Sequence, residues 1–327
     1  MSINPQRIFD ISNEQDFETV ALEVFRYQAS CVPVYRDFIS YLGVDPAGVT
    51  HTSQVPFMPV EFFKSHPVTV AGYQPEITFT SSGTTGMVQS RHLVTDVSLY
   101  VQSFRKAFGL FYGDIAEYAF LALLPAYQER EGSSLIYMVD DLIARSGHPF
   151  SGYVLSDPAS LAEKLELLRQ QRVPVILIGV TYALLDFVEA YRLDFPGLIV
   201  METGGMKGRR KEMVREELHQ RLCRGFGVPA IHSEYGMTEL LSQGYSAGGG
   251  LFRCPPWMKI LLRDINDPLT LLENGKTGGI NVIDLANVHS CAFIATQDLG
   301  RMHPDTGFEV LGRFDNSDIR GCNLLVQ

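Results

Sequence analysis

The spacing of apolar residues changes along the chain and predicts an alternation of helices and strands. Over residues 13–43 apolar side chains recur at the spacing of one helical face. Residues 55–68 contain three prolines, which predicts an extended or turning connection. Further on, short apolar runs predict strands at Ile77–Thr80, Ala119–Leu124, Pro174–Val180, Gly197–Met201 and Pro229–Ser233. Amphipathic stretches predict helices at Asp96–Phe108, Ser133–Ala144 and Pro158–Gln171, one ending near Tyr191, and another at Arg209–Arg224.

This alternation is typical of an α/β protein in which a mainly parallel sheet is covered by flanking helices. After residue 250 the segments become shorter and are separated by turn residues, which indicates a small antiparallel β unit. Its predicted strands are Met258–Leu262, Gly279–Asp284, Cys291–Ala295 and Phe308–Leu311. We therefore expect an α/β core over residues 1–250, a β-rich subdomain over 251–311, and a hinge or tail over 312–327.

Composition narrows the classes of partner. The chain has 327 residues, of which 46% are hydrophobic, and its formal net charge of −10 disfavours nucleic acid and anionic membranes. No apolar run approaches the roughly 20 residues that span a bilayer, and no signal core opens the chain. Cysteines are scattered without a CxxC pair, which predicts reduced thiols and a cytoplasmic protein. They are Cys31, Cys223, Cys254, Cys291 and Cys322.

A hydroxyl-rich glycine loop follows the strand predicted at Ile77–Thr80. Small residues allow a backbone to approach a ligand closely, and successive N–H groups can surround phosphate oxygens. No Lys-Ser or Lys-Thr follows the second glycine, so the loop is not a Walker loop. A plain flexible turn is the alternative. The candidate phosphate-binding residues are Thr80, Ser81, Ser82, Gly83, Thr84, Thr85 and Gly86.

A second motif, Ser233–Glu239, follows another predicted strand, where parallel sheets place their ligands. Tyr235 could stack on a base beside Gly236. Thr238 could hydrogen-bond a phosphate, and Glu239 could supply a hard oxygen ligand to Mg²⁺. Taken alone, this segment could equally be a tyrosine–glycine turn with an exposed glutamate.

Three weaker signals complete the set. Gly204 and Gly205 follow a predicted buried strand and permit close packing on a planar ring, with Lys207 beyond them. Asp298, predicted to lie in a loop, could accept hydrogen bonds from ribose hydroxyls. Arg313 could pair with a phosphate or the ribose edge. The alternatives are an ordinary strand-to-helix loop, a turn-forming aspartate and a solvated arginine.

The order and spacing of these motifs resemble the adenylate-forming superfamily, which includes acyl-CoA synthetases, peptide-synthetase adenylation domains and firefly luciferase. The resemblance extends from about residue 55 to the C-terminus. Four sequence segments resemble the LuxE-like acyl-protein synthetase branch. They are VEFFKSH (60–66), LLPAYQEREGSSLIYMV (123–139), SCAFIATQDLG (290–300) and GRFDNSDIRGC (312–322). This implies the large N-terminal domain of that superfamily, with the C-terminal lid domain absent.

The resemblance implies ATP and Mg²⁺ as cofactors and a carboxylic, fatty acid as substrate. It assigns Ser81–Gly86 to the leaving pyrophosphate, with Thr84 and Thr238 as catalytic contacts to phosphate. Gly204, Gly205 and Tyr235 would contact adenine, Glu239 would bind Mg²⁺, and Asp298 and Arg313 would hold the ribose. The acid is expected near residues 120–127, the glycine pair and His232.

Two departures from the family pattern shape the expectations. The family's C-terminal lid domain carries a catalytic lysine, and this chain stops before it. Lys207 is the first candidate to supply that positive charge, and Lys64 is a weaker one. The usual Pro-Lys-Gly is replaced by residues 87–92, where Arg91 or His92 is expected to supply positive charge. In the LuxE-like branch a near-C-terminal cysteine accepts the acyl group as a thioester, and Cys322 matches its position. The alternative is an ordinary thiol in the tail.

An acyl-accepting reductase or carrier protein would then be the partner, with no nucleic acid and no membrane span. Two alternatives stay open: an AMP-forming acyl- or aryl-CoA ligase, and an inactive module that binds a nucleotide or an acyl-adenylate.

Overall fold

A computed structural model describes residues 3–82, 88–124, 132–154, 157–204, 213–273, 275–303 and 307–314. Among these residues, no helix has both the length and the apolar character needed to cross a bilayer. Short 3-10 helices lie at Pro5–Asp10, Thr52–Gln54, Ile115–Glu117 and Leu285–Asn287.

The helices begin and end at residues suited to capping. Asn13 accepts a hydrogen bond from the Asp16 N–H at the start of the first helix, and Ser133 caps the fifth in the same way. Gly147 and Gly227 end the fifth and eighth helices with left-handed φ values of 61° and 69°. The helices are α1 (Glu14–Cys31), α2 (Pro33–Tyr41), α3 (Phe62–Ser65), α4 (Val97–Tyr112), α5 (Ser134–Ser146), α6 (Pro158–Gln170), α7 (Thr181–Ala190) and α8 (Arg215–Phe226).

The strands fall into an early group rich in buried apolar runs and a later group of longer segments. They are β1 (Met58–Pro59), β2 (Ile77–Thr80), β3 (Arg91–Val94), β4 (Ala119–Leu123), β5 (Gly152–Tyr153), β6 (Val175–Gly179), β7 (Leu198–Glu202), β8 (His232–Tyr235), β9 (Gly244–Ser246), β10 (Leu251–Phe252), β11 (Met258–Arg263), β12 (Thr277–Asp284), β13 (Phe293–His303) and β14 (Gly307–Arg313).

The contacts divide the chain into two compact units. The first contains residues 1–103, 238–242 and 253–327, and the second contains residues 104–237 and 243–252. The boundary between the units falls inside the second motif, between Met237 and Thr238. These interleaved segments do not test the predicted division at residues 250 and 311, which stays a prediction.

The second unit is built on a sheet with the order β5-β4-β6-β7-β8-β9, parallel except for the antiparallel last pair. Every residue of β4 and β6 is buried, as expected for strands with helices packed against them. Helices α5 to α8 alternate with these strands along the chain. The carboxyl ends of β7 and β8 lie side by side, since Glu202 and Ser233 are partners in the register.

The first unit combines α1 and α2 with an antiparallel path β14-β13-β12-β11, on which β1 pairs with β13 in parallel. Strands β2 and β3 form a separate antiparallel hairpin. An aromatic cluster fills the interior of this unit, with Tyr35 stacked on Phe293 at 6.2 Å between centroids and Phe25 edge-on to Phe293 at 6.0 Å.

The predicted fold class is confirmed: a mainly parallel sheet with flanking helices accompanies an antiparallel β unit. The predicted helical region over residues 13–43 is two helices, because Pro33 cannot continue α1 and instead opens α2. The stretch over residues 55–68, expected to be only a connection, also holds the short β1 and α3. Strand β8 begins at His232, three residues later than predicted from Pro229.

Candidate functional site

The hydroxyl-rich segment connects two antiparallel strands, β2 and β3. Thr80 is the last residue of β2 and pairs with Arg91 at the start of β3. The Ser81 N–H donates to the Ser90 carbonyl at 3.1 Å, and the Ser90 N–H donates to Ser81 Oγ at 2.9 Å. These two bonds close the base of the loop. Ser82 is exposed, and Gly83, Thr84, Thr85 and Gly86 lie outside the described residues.

Glu239 is a buried acid in the turn at residues 238–239 of the first unit, with 5% of its surface exposed. The Ser90 side chain interacts with its carboxylate and favours the ionised form. Burial raises the pKa of Glu239, while that interaction and the cations of Arg313 and Lys64 oppose the rise. The predicted metal ligand therefore lies against the base of the hydroxyl-rich loop.

A lone carboxylate of this kind fits Mg²⁺ in a nucleotide site, because Mg²⁺ takes one or two protein carboxylates and fills its shell with phosphate oxygens and water. No group of three or more His, Cys, Asp or Glu side chains in the described part of the chain could hold a metal ion by itself. Glu239 would hold the ion only together with the phosphates of a bound nucleotide.

The same turn is bonded to the β2–β3 hairpin by a second contact. His92 Nδ1 lies 2.8 Å from the Thr238 carbonyl oxygen, and the His92 ring is fully buried. Burial lowers the pKa of His92 to about 4, and the contacts with Thr238 and Asn287 only partly oppose this. The expectation that His92 supplies positive charge to phosphate is wrong, because a buried imidazole in this setting is neutral at neutral pH. Arg91 is exposed.

Asp298 and Arg313 face each other across two strands. Asp298 was expected in a loop, but it lies within β13, in register with Arg313 on β14. Arg313 Nε donates to Asp298 Oδ1 at 3.1 Å. Asp298 is buried, whereas the Arg313 side chain is 73% exposed. Four of the five predicted motifs thus contribute to the first unit, and contacts join Ser90, Glu239, Arg313 and Asp298 there.

The second unit gathers polar groups at the carboxyl ends of β7 and β8. Glu202, which ends β7, accepts hydrogen bonds from Ser233 Oγ at 2.8 Å and from the Gly204 N–H at 2.7 Å. The His219 ring lies 3.8 Å from the same carboxylate. Burial alone raises the pKa of Glu202, but these donors together hold it below its usual value. An ionised Glu202 therefore fixes the loop that starts at Gly204, whose φ of 73° favours glycine.

Glu234 shows the opposite behaviour one strand away. Burial, followed by the negative charge of Glu202, raises its pKa to about 8. A side chain on Gly236 would meet Glu234 Oε1 at 2.3 Å, so the glycine of this motif makes room for the Glu234 carboxyl. Tyr235, the expected adenine contact, is 7% exposed and packs edge-on against Phe252 at 5.9 Å.

The expected acid-binding region is partly described. Phe120 is fully buried in β4, and His232 Nδ1 lies 3.3 Å from the Tyr112 hydroxyl. Tyr112 also packs edge-on against Tyr245 at 5.4 Å. Residues 125–131 lie outside the described part of the chain, as do Gly205, Lys207 and Cys322.

The structure shows contacts of polar residues to which the sequence analysis assigned no role, chiefly Ser90, Glu202, Glu234 and Asn287. Each is a polar group that is buried or partly buried beside a predicted motif. Glu202 could have been noticed, because it is an acid at the end of an otherwise apolar strand. No local pattern marks the roles of Ser90 and Asn287 beside Glu239, because Glu239 lies more than 40 residues away from each of them along the chain.

No protein-family model matches the chain, and no curated protein matches it by sequence. Its fold is nevertheless shared with solved ligase structures. One is an open conformation of 2-hydroxyisobutyryl-CoA ligase in complex with 2-HIB-AMP and CoA, with a TM-score of 0.68 at 13% identity. That similarity covers 93% of this chain and 75% of the ligase. The same ligase in the postadenylation state with 2-HIB-AMP gives a TM-score of 0.69 at 13% identity, covering 93% and 68%.

A second protein with this fold is ATP-bound MatB from Rhodopseudomonas palustris, with a TM-score of 0.54 at 18% identity. That similarity covers 72% of this chain and 47% of MatB. At such identities the comparisons show a shared fold, and the predicted fold of the adenylate-forming ligases' large N-terminal domain is confirmed. The LuxE-like branch stays a prediction.

Proposed function

We propose that this chain activates a carboxylic acid with ATP, forming an acyl-adenylate and releasing pyrophosphate. One observation supports the proposal above all: the β2–β3 hairpin that carries the hydroxyl-rich loop is bonded directly to the Thr238–Glu239 turn. His92 Nδ1 bonds the Thr238 carbonyl at 2.8 Å, and the Ser90 side chain interacts with the Glu239 carboxylate. Two sequence motifs that would each contact phosphate are thereby held together in one unit.

In the proposed reaction a carboxylate oxygen of the acid attacks the α-phosphorus of ATP. The bond from that phosphorus to the bridging oxygen breaks, and pyrophosphate leaves with the electron pair. Ser81, Ser82, Thr84 and Thr85 would donate to the leaving phosphates together with the N–H groups of Gly83 and Gly86, and Thr238 would donate to the α-phosphate. Mg²⁺, held in part by Glu239, would neutralise charge that develops on the phosphate oxygens.

The remaining motif residues would bind the nucleoside. Gly204, Gly205, Tyr235 and Gly236 would contact adenine, and Asp298 and Arg313 would hold the ribose. The Asp298–Arg313 pair leaves most of the arginine exposed and is already aligned across β13 and β14. Lys207, and less directly Lys64, would supply positive charge toward phosphate. Of these two, Lys64 contributes to the electrostatics of Glu239.

We further propose that the acid is a fatty acid and that Cys322 accepts the acyl group. Its thiolate would attack the acyl carbonyl, the bond to the AMP oxygen would break, and AMP would leave. Burial raises the pKa of Cys254 and of Cys291 to about 12, and it also raises the pKa of Cys223. Such thiols are poor nucleophiles, so the buried cysteines do not compete for this role. A reductase or carrier protein would then take the acyl group.

A CoA ligase is the second candidate, because 2-hydroxyisobutyryl-CoA ligase, with the same fold, has been solved in complex with CoA. A binding module without turnover is the third. The three differ in what happens after ATP is added, so two experiments separate them.

The first experiment measures carboxylate-dependent exchange of labelled pyrophosphate into ATP with a panel of alkyl and aryl acids. We expect exchange by the unaltered protein, and a loss of about 100-fold in Thr84→Ala, Gly83→Ala and Glu239→Gln. Glu163→Gln, a change at an exposed carboxyl on α6, is the control and should retain the full rate. A folded protein that exchanges with no acid would rule out the enzyme and leave the binding module.

The second experiment uses mass spectrometry of the protein after incubation with ATP and a fatty acid. An acyl adduct that hydroxylamine removes should form, disappear in Cys322→Ser and persist in Cys31→Ser. If CoA thioester forms at an unchanged rate in Cys322→Ser and no adduct is found, the CoA ligase is the correct function.

A further inference from the structure

We propose that His92 and Asn287 are positioning residues that hold the Thr238–Glu239 turn in the conformation that binds Mg²⁺ and ATP. The inference deepens the proposed function and rests on its assignment of Thr238 and Glu239 to the nucleotide. Neither side chain is expected to touch the substrate. Both would act through the backbone of the turn.

The histidine contact defines one tautomer. A carbonyl oxygen only accepts, so the 2.8 Å contact with Thr238 requires a proton on His92 Nδ1. The ring is held edge-on by Phe63 at 5.5 Å between centroids. Its burial keeps it neutral, so it directs a hydrogen bond at the turn without adding a charge beside the phosphates.

Asn287 makes the matching contact with the next residue. It is fully buried at the end of the 3-10 helix Leu285–Asn287, and its Nδ2 donates to the Glu239 carbonyl at 2.7 Å. Asp284, which caps the same helix, accepts from the Leu241 N–H at 2.7 Å and the Ser242 N–H at 3.0 Å. The turn is thus fixed at successive peptide groups by side chains from two distant elements.

These polar groups are costly for the fold. His92 Nε2, Asn287 Oδ1 and Thr95 Oγ1 have no hydrogen-bond partner among the described residues, and all three belong to residues that line the same small cavity. Apolar side chains would fill this place with less desolvation. Buried groups that are only partly satisfied call for an explanation, and two donors aimed at consecutive carbonyls of the metal-binding turn provide one.

The consequence for the site is geometric. The direction of the Glu239 carboxylate follows the backbone of its turn, and small displacements of a positioned group reduce rates strongly. Partners that orient a metal ligand are typically worth about 10- to 100-fold in metal affinity or activity.

The test compares His92→Asn, His92→Gln, His92→Ala and Asn287→Asp with His51→Ala, an exposed-histidine control. In asparagine the amide nitrogen takes the place of Nδ1, whereas in glutamine it takes the place of Nε2. Pyrophosphate exchange gives the Mg²⁺ concentration for half-maximal rate and the KM values for ATP and acid. Calorimetry gives the affinity for Mg²⁺-ATP without turnover.

We expect His92→Ala and Asn287→Asp to raise the half-maximal Mg²⁺ concentration and the KM for ATP about tenfold, with the KM for acid unchanged. His92→Asn should stay closer to the unaltered protein than His92→Gln does. Added imidazole should restore part of the loss in His92→Ala. Nitrogen-15 spectra of histidine should report the Nδ1–H tautomer for His92.

The inference is overturned if folded His92→Ala keeps the Mg²⁺ and ATP dependence of the unaltered protein. It is also overturned if His92 carries its proton on Nε2. If His92→Ala does not fold, the Mg²⁺ and ATP dependence of His92→Asn is compared with that of His92→Gln. Equal values in these two variants would then overturn the inference. If the unaltered protein binds Mg²⁺-ATP but exchanges no pyrophosphate, only the proposed enzymatic activity is refuted. The positioning role of His92 and Asn287 is then still tested by calorimetry.

Discussion

At the residue scale, the most informative pair is Glu202 and Glu234, two acids on neighbouring strand ends with opposite pKa shifts. Donors surround Glu202 and keep it ionised. Glu234 lacks comparable compensation, and its burial beside that negative charge raises its pKa to about 8. One carboxylate therefore organises the Gly204 loop while its neighbour stays protonated at neutral pH.

This difference predicts a pH dependence of stability. Because the folded pKa of Glu234 lies above its ordinary value of 4.5, its contribution is fully present below pH 4.5 and is lost as pH rises through 8. Glu234→Gln cannot ionise, so its stability relative to the unaltered protein should increase by about 4 kcal/mol between pH 5 and pH 8.5. Urea unfolding across that range measures the effect. A difference in unfolding free energy between Glu234→Gln and the unaltered protein that stays constant with pH would contradict the prediction. Glu163→Gln is the control, for which this difference should not change with pH.

Residue chemistry was only partly predictable from the sequence. Thr238 and Glu239 could be selected because they follow a predicted strand with residue types suited to phosphate and Mg²⁺. The neutrality of His92 could not be predicted, because it depends on burial against Phe63 and on a carbonyl 146 positions away along the chain. The pKa shifts of His92, Glu202 and Glu234 are set by tertiary surroundings, which a local pattern does not contain.

At the element scale, α7 and α8 pack closely because Gly225 lacks a side chain. A Cβ there would lie 2.3 Å from Val188 Cβ on the facing helix. Two helix backbones can pack this closely only where one helix carries a small residue at the contact. Strand β7, which ends at Glu202, lies between these two helices along the chain.

Gly225→Ala should therefore destabilise the protein by about 1–3 kcal/mol through overpacking, despite the higher helix propensity of alanine. Gly109→Ala on α4 is the matched control, since a Cβ there meets nothing within 4 Å. That change should stabilise by roughly 0.5–1 kcal/mol. Denaturant midpoints measure both, and equal effects of the two substitutions would refute the packing argument.

Element types were well predicted where apolar runs were continuous, as in β4, β6 and β7. The prediction failed for β13, which was expected to stop at Ala295 but continues to His303. Its second half is mostly polar and contains a glycine, so it resembles a loop in sequence. Pairing with β12 and β14 makes it a strand and places Asp298 opposite Arg313.

At the scale of the whole molecule, the chain folds into two compact units whose segments interleave along the sequence. The order of the motifs along the chain was sufficient to predict the fold, because that order is a property of the sequence. The division of the chain into interleaved units could not be predicted from the sequence, because it depends on which distant segments pair.

A bound nucleotide should raise the stability of the whole chain by mass action. At about 100 times the dissociation constant of Mg²⁺-ATP, linkage gives about 2.7 kcal/mol. Glu239→Gln should lose the Mg²⁺-dependent part of this stabilisation and keep the part seen with ATP and EDTA. Thermal unfolding with each combination measures it. If Mg²⁺ stabilised both proteins equally in the presence of ATP, Glu239 would not be the metal ligand.

The interleaving of the units has a consequence for synthesis on the ribosome. The parallel strands β4 to β8 are complete once residue 235 has been made, so they can pair while the remainder is still being translated. Strand β1 must wait much longer, because Met58 pairs with Ile294. The N-terminal hundred or so residues would thus leave the ribosome first yet complete their sheet last, which makes them the segment most exposed to chaperones.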